Sequence, residues 1–245
     1  DPTGRFPMAT QFSVTVPAGT KSTGGGTLAN PKSWTFTTPT PTIVQSYPAK
    51  EHTHARDTLM FIAFDQRIDP AAMINSIHVR SGDTVLPARL ATKEEMAASS
   101  EVKQLVDATP SDRWLAFRAV NPQTGETKFA LPADANITVE VSAGAPSLEG
   151  PLRTMAAQQF TFTTYGPLHV TRSSCGYENM CRPNEPTQIW FSNRLNAAAF
   201  DESQIHVEPA IPGLKVSIVD ELLTISGGTK ANTRYTVTVG HSLRD

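Results

Sequence analysis

The sequence predicts an all-β protein built from tandem β-sandwich modules. Three observations carry this: strand motifs that return at a fixed spacing, period-2 alternation within each strand, and a density of Thr and Val between Gly, Pro and Asp turns. Ser13-Val-Thr-Val16 with Ala18-Gly19 returns as Thr138-Val-Glu-Val141 with Ala143-Gly144, and Trp34-Thr-Phe-Thr-Thr38 returns as Phe160-Thr-Phe-Thr-Thr164. The shifts are 125 and 126 residues (13 to 138, 34 to 160), so a whole block is repeated rather than a stray motif. A second register runs forward. Phe64-Asp-Gln-Arg67-Ile68-Asp69 and Ser76-Ile-His-Val79 return as Phe191-Ser-Asn-Arg194-Leu195-Asn196 and Gln204-Ile-His-Val207, shifted by 127 and 128. The Thr-Val-x-Val strand occurs a third time at Thr236–Val239.

Taken in order, residues 1–41 hold only two such strands, too few to bury a face by themselves, and read as the C-terminal part of a truncated module. Residues 42–165 hold a complete module, and residues 166–245 a module lacking its last strand, the counterpart of Phe160–Thr164. The chain therefore reads as a piece of a longer protein. Its N-terminal piece is expected either to be mobile or to dock by strand addition. The middle module carries an insertion: Ile77 to Val139 spans 62 residues and the matching Ile205 to Val237 spans 32, a difference of about 30. Within it Thr92-Lys-Glu-Glu95 fits a capping box, and Ala98, Val102 and Leu105 fall at i, i+4 and i+7. This predicts one short helix packed across the sandwich or its open end, covering a sheet edge rather than acting as a charged lid.

Composition narrows the function classes. With 39% hydrophobic and 18% charged residues, and 15 Gly plus 19 Pro in 245 residues, the chain is neither disordered nor collagenous. The longest apolar run, Leu59 to Phe64, is far short of the ~20 residues of a membrane-spanning helix. A net charge of −2 from 21 basic and 23 acidic residues, without a Lys/Arg cluster longer than a pair, gives nothing to neutralise a phosphate backbone, so nucleic acid is not expected as a partner.

The residues that could carry chemistry do not assemble into a recognisable catalytic pattern. Gly-x-Ser-x-Gly, Walker and His-Glu-x-x-His motifs are absent, and no catalytic, cofactor or metal residues are assigned. His52 and His54 would share one side of a strand but lack clustered partners. His78 and His206 fall at equivalent repeat positions and are expected to serve the fold. Glu94 and Glu95 sit in the first turn of the predicted helix, where its dipole favours negative charge. Arg67 and Arg194 recur before Ile68 and Leu195 and are expected to hold a turn through carbonyls or a carboxylate. Asn136-Ile-Thr138 matches a glycosylation sequon at the start of a strand. Cys175 and Cys181, the only two cysteines, lie six apart around a Gly and are read as one disulfide, which implies an oxidising compartment. Two buried thiols are the alternative; a metal site would need four ligands, and His169 supplies only a third.

Two sets of motifs add a resemblance. Ser46-Tyr47-Pro48, then Phe64 to Pro70, a Thr-Val-x-Val strand, a glycine loop and a closing Phe-Thr-Phe-Thr-Thr together resemble the bacterial Ig-like modules of surface and secreted proteins. More narrowly, Arg5-Phe6-Pro7-Met8-Ala9-Thr10 leading into Phe12 to Thr20 is similar to the N-terminal region of large bacterial α2-macroglobulin-like proteins, and the cysteine pair followed by Phe191 to Leu195 suits that family. The resemblance implies Ig-like, macroglobulin-type sandwiches forming a non-enzymatic scaffold around a bait segment that target proteases cut before being trapped. It also implies other modules of the same longer protein and target proteases as partners, no cofactor, and a periplasmic or secreted, cell-surface location. Some members carry a Cys-Gly-Glu-Gln thioester. Cys175-Gly176-Tyr177-Glu178 shares only its first two residues, so no thioester is carried over. The rival reading is the Ig-like stalk of a bacterial adhesin or surface-layer protein, and a third is an enzyme whose accessory modules these are. For the cysteines the expected result is direct: titration of the unfolded, unreduced chain finds no free thiol, and two titratable thiols would contradict the bridge.

Overall fold

Leu59 to Phe64 is apolar without interruption, whereas a strand with one wet face alternates, so this strand must be covered on both sides. The computed structural model, which describes residues 4–50, 52–176, 181–240 and 242–244, bears this out: all five residues of Met60–Phe64 are buried. The chain divides into two units, residues 1–164 and 165–245.

The first unit opens with a hairpin of β1 (Gln11–Val16) and β2 (Lys32–Thr37), antiparallel and in register from Gln11 against Thr37 to Val16 against Lys32. There follow β3 (Ile43–Tyr47), β4 (Thr53–His54), β5 (Met60–Phe64), a short helix α1 (Pro70–Met73) capped by Asp69, β6 (Ile77–Ser81), β7 (Thr84–Leu86) and β8 (Ala88–Leu90). After the helical insertion come β9 (Trp114–Ala119), β10 (Asn136–Val141) and β11 (Gln158–Thr164). Two sheets, ordered β3-β5-β9-β8 and β4-β11-β10-β6-β7, enclose one core. Met60, Ile62, Leu115 and Phe117 enter it from the first sheet, and Val79, Ile137, Val139 and Phe162 from the second.

The insertion forms two helices where the periodicity predicted one: α2 (Lys93–Ala98) and α3 (Ser100–Ala108). The capping box is present, with Thr92 Oγ1 accepting the Glu95 N–H (3.2 Å) and Glu95 accepting the Thr92 N–H (2.9 Å). The break falls at Ser99, which is extended and whose hydroxyl accepts the Val102 N–H (3.3 Å), starting a new helix. A serine that caps locally competes with continuing the helix, and the apolar spacing does not register that competition. The helices also cover a face rather than an edge: Val102, Leu105, Val106 and Met96 pack with Leu59, Phe61, Ala63 and Ala116 on the outer side of the first sheet.

The second unit repeats the plan without the helices. It contains β12 (Val170–Cys175), β13 (Thr187–Phe191), β14 (Ile205–Glu208), β15 (Lys215–Val219), β16 (Leu222–Ser226) and β17 (Thr236–Val239). One sheet runs β12-β13-β16-β15, and β14 pairs with β17. Ile189, Phe191, Leu223 and Ile225 meet Ile205 and Val207 in its core. Trp190, the counterpart of Ala63, is covered on the outer face not by a helix but by the Arg172 guanidinium, 3.8 Å from its ring centroid.

The repetition extends to single bonds. Thr38 Oγ1 accepts the Thr10 N–H (3.0 Å) and donates to the Pro7 carbonyl (2.7 Å); Thr164 Oγ1 accepts the Ala135 N–H (3.0 Å) and donates to the Pro132 carbonyl (2.7 Å). Gly19 and Gly144, at φ 87° and 88°, make the same left-handed turn, which glycine adopts without steric cost. The edge strands β3 and β12 shift register at the same place, between Ile43 and Gln45 and between Val170 and Arg172. Gln66 and Asn193, both buried, donate side-chain N–H bonds to the carbonyls of Pro39 (3.2 Å) and Gly166 (2.9 Å).

Because Phe61 fills the contact between sheet and helices, Phe61→Ala is expected to cost about 3–5 kcal/mol in denaturant unfolding of the first unit. A loss under ~1 kcal/mol would contradict the packing of α3 on that face.

Candidate functional site

The N-terminal hairpin is fixed to the middle module at its base, through the carboxylate of Glu149. Arg5 Nη2 donates to both Glu149 oxygens (2.8 and 2.7 Å), the Met8 N–H to Oε2 (3.2 Å) and the Arg67 N–H to Oε1 (2.9 Å). The Arg67 guanidinium lies 3.7 Å from the same carboxylate and 4.0 Å from Asp112. The Glu149 side chain is only 6% exposed. Burial alone would raise its pKa. The Arg67 N–H, the Arg5 guanidinium and the Met8 N–H outweigh that and bring it from 4.5 to about 2. A carboxylate so low and so fully engaged has no proton to give at neutral pH and no lone pair aimed at a substrate, so its chemistry is structural.

Around it the chain is held closely. Ser147 Oγ accepts the Glu149 N–H (3.0 Å) and donates to Gln66 (2.7 Å), whose own amide reaches the Pro39 carbonyl. Leu152 N–H bonds the Ala9 carbonyl (2.8 Å). A Cβ at Gly150 would overlap Thr10 Oγ1 and the carbonyl oxygens of Met8 and Ala9, so only glycine fits there. Gln158 bridges the connection, accepting the Ile43 N–H (2.9 Å) and donating to the Pro41 carbonyl (2.9 Å). The N-terminal piece is thus docked, but not by strand addition: among the described residues β1 and β2 pair only with each other.

The face that the hairpin would turn to a core is uncovered. Phe12 and Phe36 stack at 5.2 Å, and Phe6 packs on them at 5.1 and 5.8 Å. Phe36 is 37% exposed, whereas Phe162 at the equivalent position is 1% exposed. The repeat makes these two positions equivalent; the difference is the absence of an opposing sheet beside the hairpin among the described residues.

The other candidate residues fall into structural roles. Cys175 and Cys181 form a disulfide with their Cα atoms 4.9 Å apart. Tyr177 and Glu178 lie outside the described residues, and a bridged Cys175 has no thiol for a thioester. His54 is held by the Ala49 carbonyl (2.9 Å) and edge-on to Phe162; burial lowers its pKa. His52 is exposed. His78 and His206 take the same place on β6 and β14, opposite Glu140 and Thr238, and His206 lies 3.1 Å from Glu208. Arg194 Nε donates to Asp220 (2.7 Å), the counterpart of Asp112 beside Arg67, so each arginine lies against a carboxylate in the turn before the paired strand, β9 for Arg67 and β16 for Arg194. Asn136 is exposed at the start of β10. Among the described residues no three His, Cys, Asp or Glu side chains form a group able to hold a metal ion.

Two clusters were not legible from local sequence. Glu149 is 144 residues from Arg5, and no spacing rule joins them. Glu95 accepts a two-pronged bond from Arg89 (2.8 and 2.7 Å) and lies 3.1 Å from Arg118 Nε. Arg89 first, then the Thr92 N–H and the Arg118 charge, overcome burial and lower the Glu95 pKa to about 2. Recurrence would not have found either, since neither acid has a partner in the repeat. Compared with known proteins, the chain matches no family model and no curated sequence.

Glu149→Gln is expected to loosen the hairpin, since hydrogen bonds to a charged acceptor contribute about 1.5–3 kcal/mol. Amide exchange across β1 and β2 should quicken at least tenfold while β10 and β11 are unchanged. The pH dependence has a definite sign: a depressed carboxyl gives stability that is full above pH 4.5 and is lost as pH falls towards 2. In the wild type the hairpin's protection should fall through that window, and a pH-independent hairpin would contradict the role of Glu149.

Proposed function

We propose that these residues are a non-enzymatic scaffold of Ig-like, macroglobulin-type modules belonging to a bacterial α2-macroglobulin-like protease-trapping protein. The observation that carries the reading is the joint at Glu149, where a strand pair equivalent to the closing hairpin of one module is clamped end to end on the next. Modules joined this way transmit position rather than perform chemistry, as a scaffold around a cleavable segment requires. The two most strongly lowered carboxyls, Glu95 and Glu149, are consumed by guanidinium and backbone partners, which favours a structural over a catalytic role. The Cys175–Cys181 disulfide, with no helix long and apolar enough to cross a membrane among the described residues, is compatible with a secreted or periplasmic location. The adhesin or surface-layer stalk remains the rival, favoured by the same serial repetition.

The reading is tested on the complete gene product that carries these residues, incubated with a panel of endoproteases. Cleavage within one segment, followed by co-migration of the protease with the cleaved protein while small peptide substrates are still hydrolysed, is the expected outcome. Cleavage without retention overturns it in favour of the stalk. The purified 245-residue chain should itself hydrolyse neither generic esters nor peptides, with or without chelator; chelator-sensitive turnover would overturn the non-enzymatic assignment.

A further inference from the structure

The sheet β12-β13-β16-β15 of the second unit matches β3-β5-β9-β8 of the first strand for strand. Their outer faces are treated differently. In the first unit the chain leaves β8 at Leu90 and forms α2 and α3, which cover the outer face. In the second unit the counterpart strand β15 runs on to Val219, turns through Asp220 and Glu221, and returns as β16 with Leu222 opposite Val219. Among the described residues of that unit no α-helix is formed.

The face left open has a definite composition. Arg172, Trp190, Leu222 and Val219 stand opposite one another, in that order, across the four strands. Trp190 and Leu222 are half-buried, and Val219 is 66% exposed. Lys215 shares the face, an even number of positions from Val219 on β15. The other outward positions of these strands are Ser, Thr or Gln, so the face carries two cations and no carboxylate. The nearby acids stand at its rim: Asp220 is paired with Arg194, and Glu221 follows it in the turn. An aromatic ring and an arginine beside exposed aliphatic side chains, with acids kept to the rim, is the composition of a protein interface.

The width of the row selects the kind of partner. Neighbouring strands lie about 4.8 Å apart, so Trp190, Leu222 and Val219 span about 10 Å, the diameter of one α-helix with its side chains. A helix is also what the first unit places there. Val102, Leu105 and Val106 of α3 pack with Phe61, Ala63 and Ala116, and Ala63 is the counterpart of Trp190. We infer that the outer face of β12-β13-β16-β15 docks an amphipathic acidic helix of a partner protein, its apolar stripe on Trp190, Leu222 and Val219 and its flanking carboxylates on Arg172 and Lys215. The site is independent of the protease-trapping reading, because a surface stalk can carry the same docking face.

The test uses the whole chain, isotope-labelled for NMR, and two helical peptides of about 15 residues. Both carry leucine at i, i+4 and i+7; one has glutamate beside that stripe and the other lysine. Saturable binding of the glutamate peptide is expected, with shifts at the Trp190 indole N–H and at the amides of Leu222 and Val219, and the lysine peptide should bind at least tenfold more weakly. Val219→Glu changes an exposed side chain and leaves the inner core untouched; with unfolding confirmed unchanged, it should weaken binding at least tenfold. Arg172→Glu should erase the preference for the glutamate peptide. No saturable binding, equal binding of the two peptides, an undiminished preference in Arg172→Glu, or shifts at Phe12 and Phe36 in place of Trp190 would overturn the proposal. So would self-association of the chain that is lost in Val219→Glu and excludes the peptide, which would make a second copy the occupant.

Discussion

A β-sheet can bury one of its faces only where another layer lies opposite, and each of its strands needs a neighbour on both edges or an exposed edge that water can satisfy. Around β5 and β9 of the first unit that requirement is met on both faces. The second sheet closes the inner face of β5 and β9, and α2 and α3 close the outer face. The consequence for the sequence is the unbroken apolar run of Met60–Phe64, since no residue of that strand meets water. Where the outer layer is missing, as on β13, the same strand reads Thr-Gln-Ile-Trp-Phe and an arginine lies over the one large outward ring.

Most of the architecture was legible because the chain repeats itself. Thr-Val-x-Val and Phe-Thr-Phe-Thr-Thr mark strands whose pairing, Val14 with Trp34 and Val139 with Phe160, is conserved between copies. The recurring threonine that ends each motif is fixed by chemistry: Thr38 and Thr164 each close the hairpin's open end with one accepted and one donated bond. The capping box before Lys93 was equally readable, since both its partners lie within three residues.

What was not legible lay at long range or in competition between local preferences. Ser99 fits the helical period but serves better as a cap, so one expected helix became two. The place of those helices was in fact encoded, in the double burial that Leu59 to Phe64 demands, but periodicity within the insertion points only to a helix and not to its partner. The joint at Glu149 was hidden more thoroughly. An acid in a loop gains meaning only when Arg5, Met8 and Arg67 converge on it, and nothing in their spacing announces that.

The repeated register is the claim on which the equivalence of hairpin, middle module and second unit stands. It is read most directly by cross-strand Hα–Hα contacts in solution NMR, which are strong at the narrow, non-hydrogen-bonded pairs of an antiparallel ladder. Contacts are predicted between Ser13 and Thr35, Thr138 and Thr161, Val79 and Val139, and Val207 and Val237. A shift of one residue in any of these pairs would turn its inward side chains to the opposite face and contradict a common module.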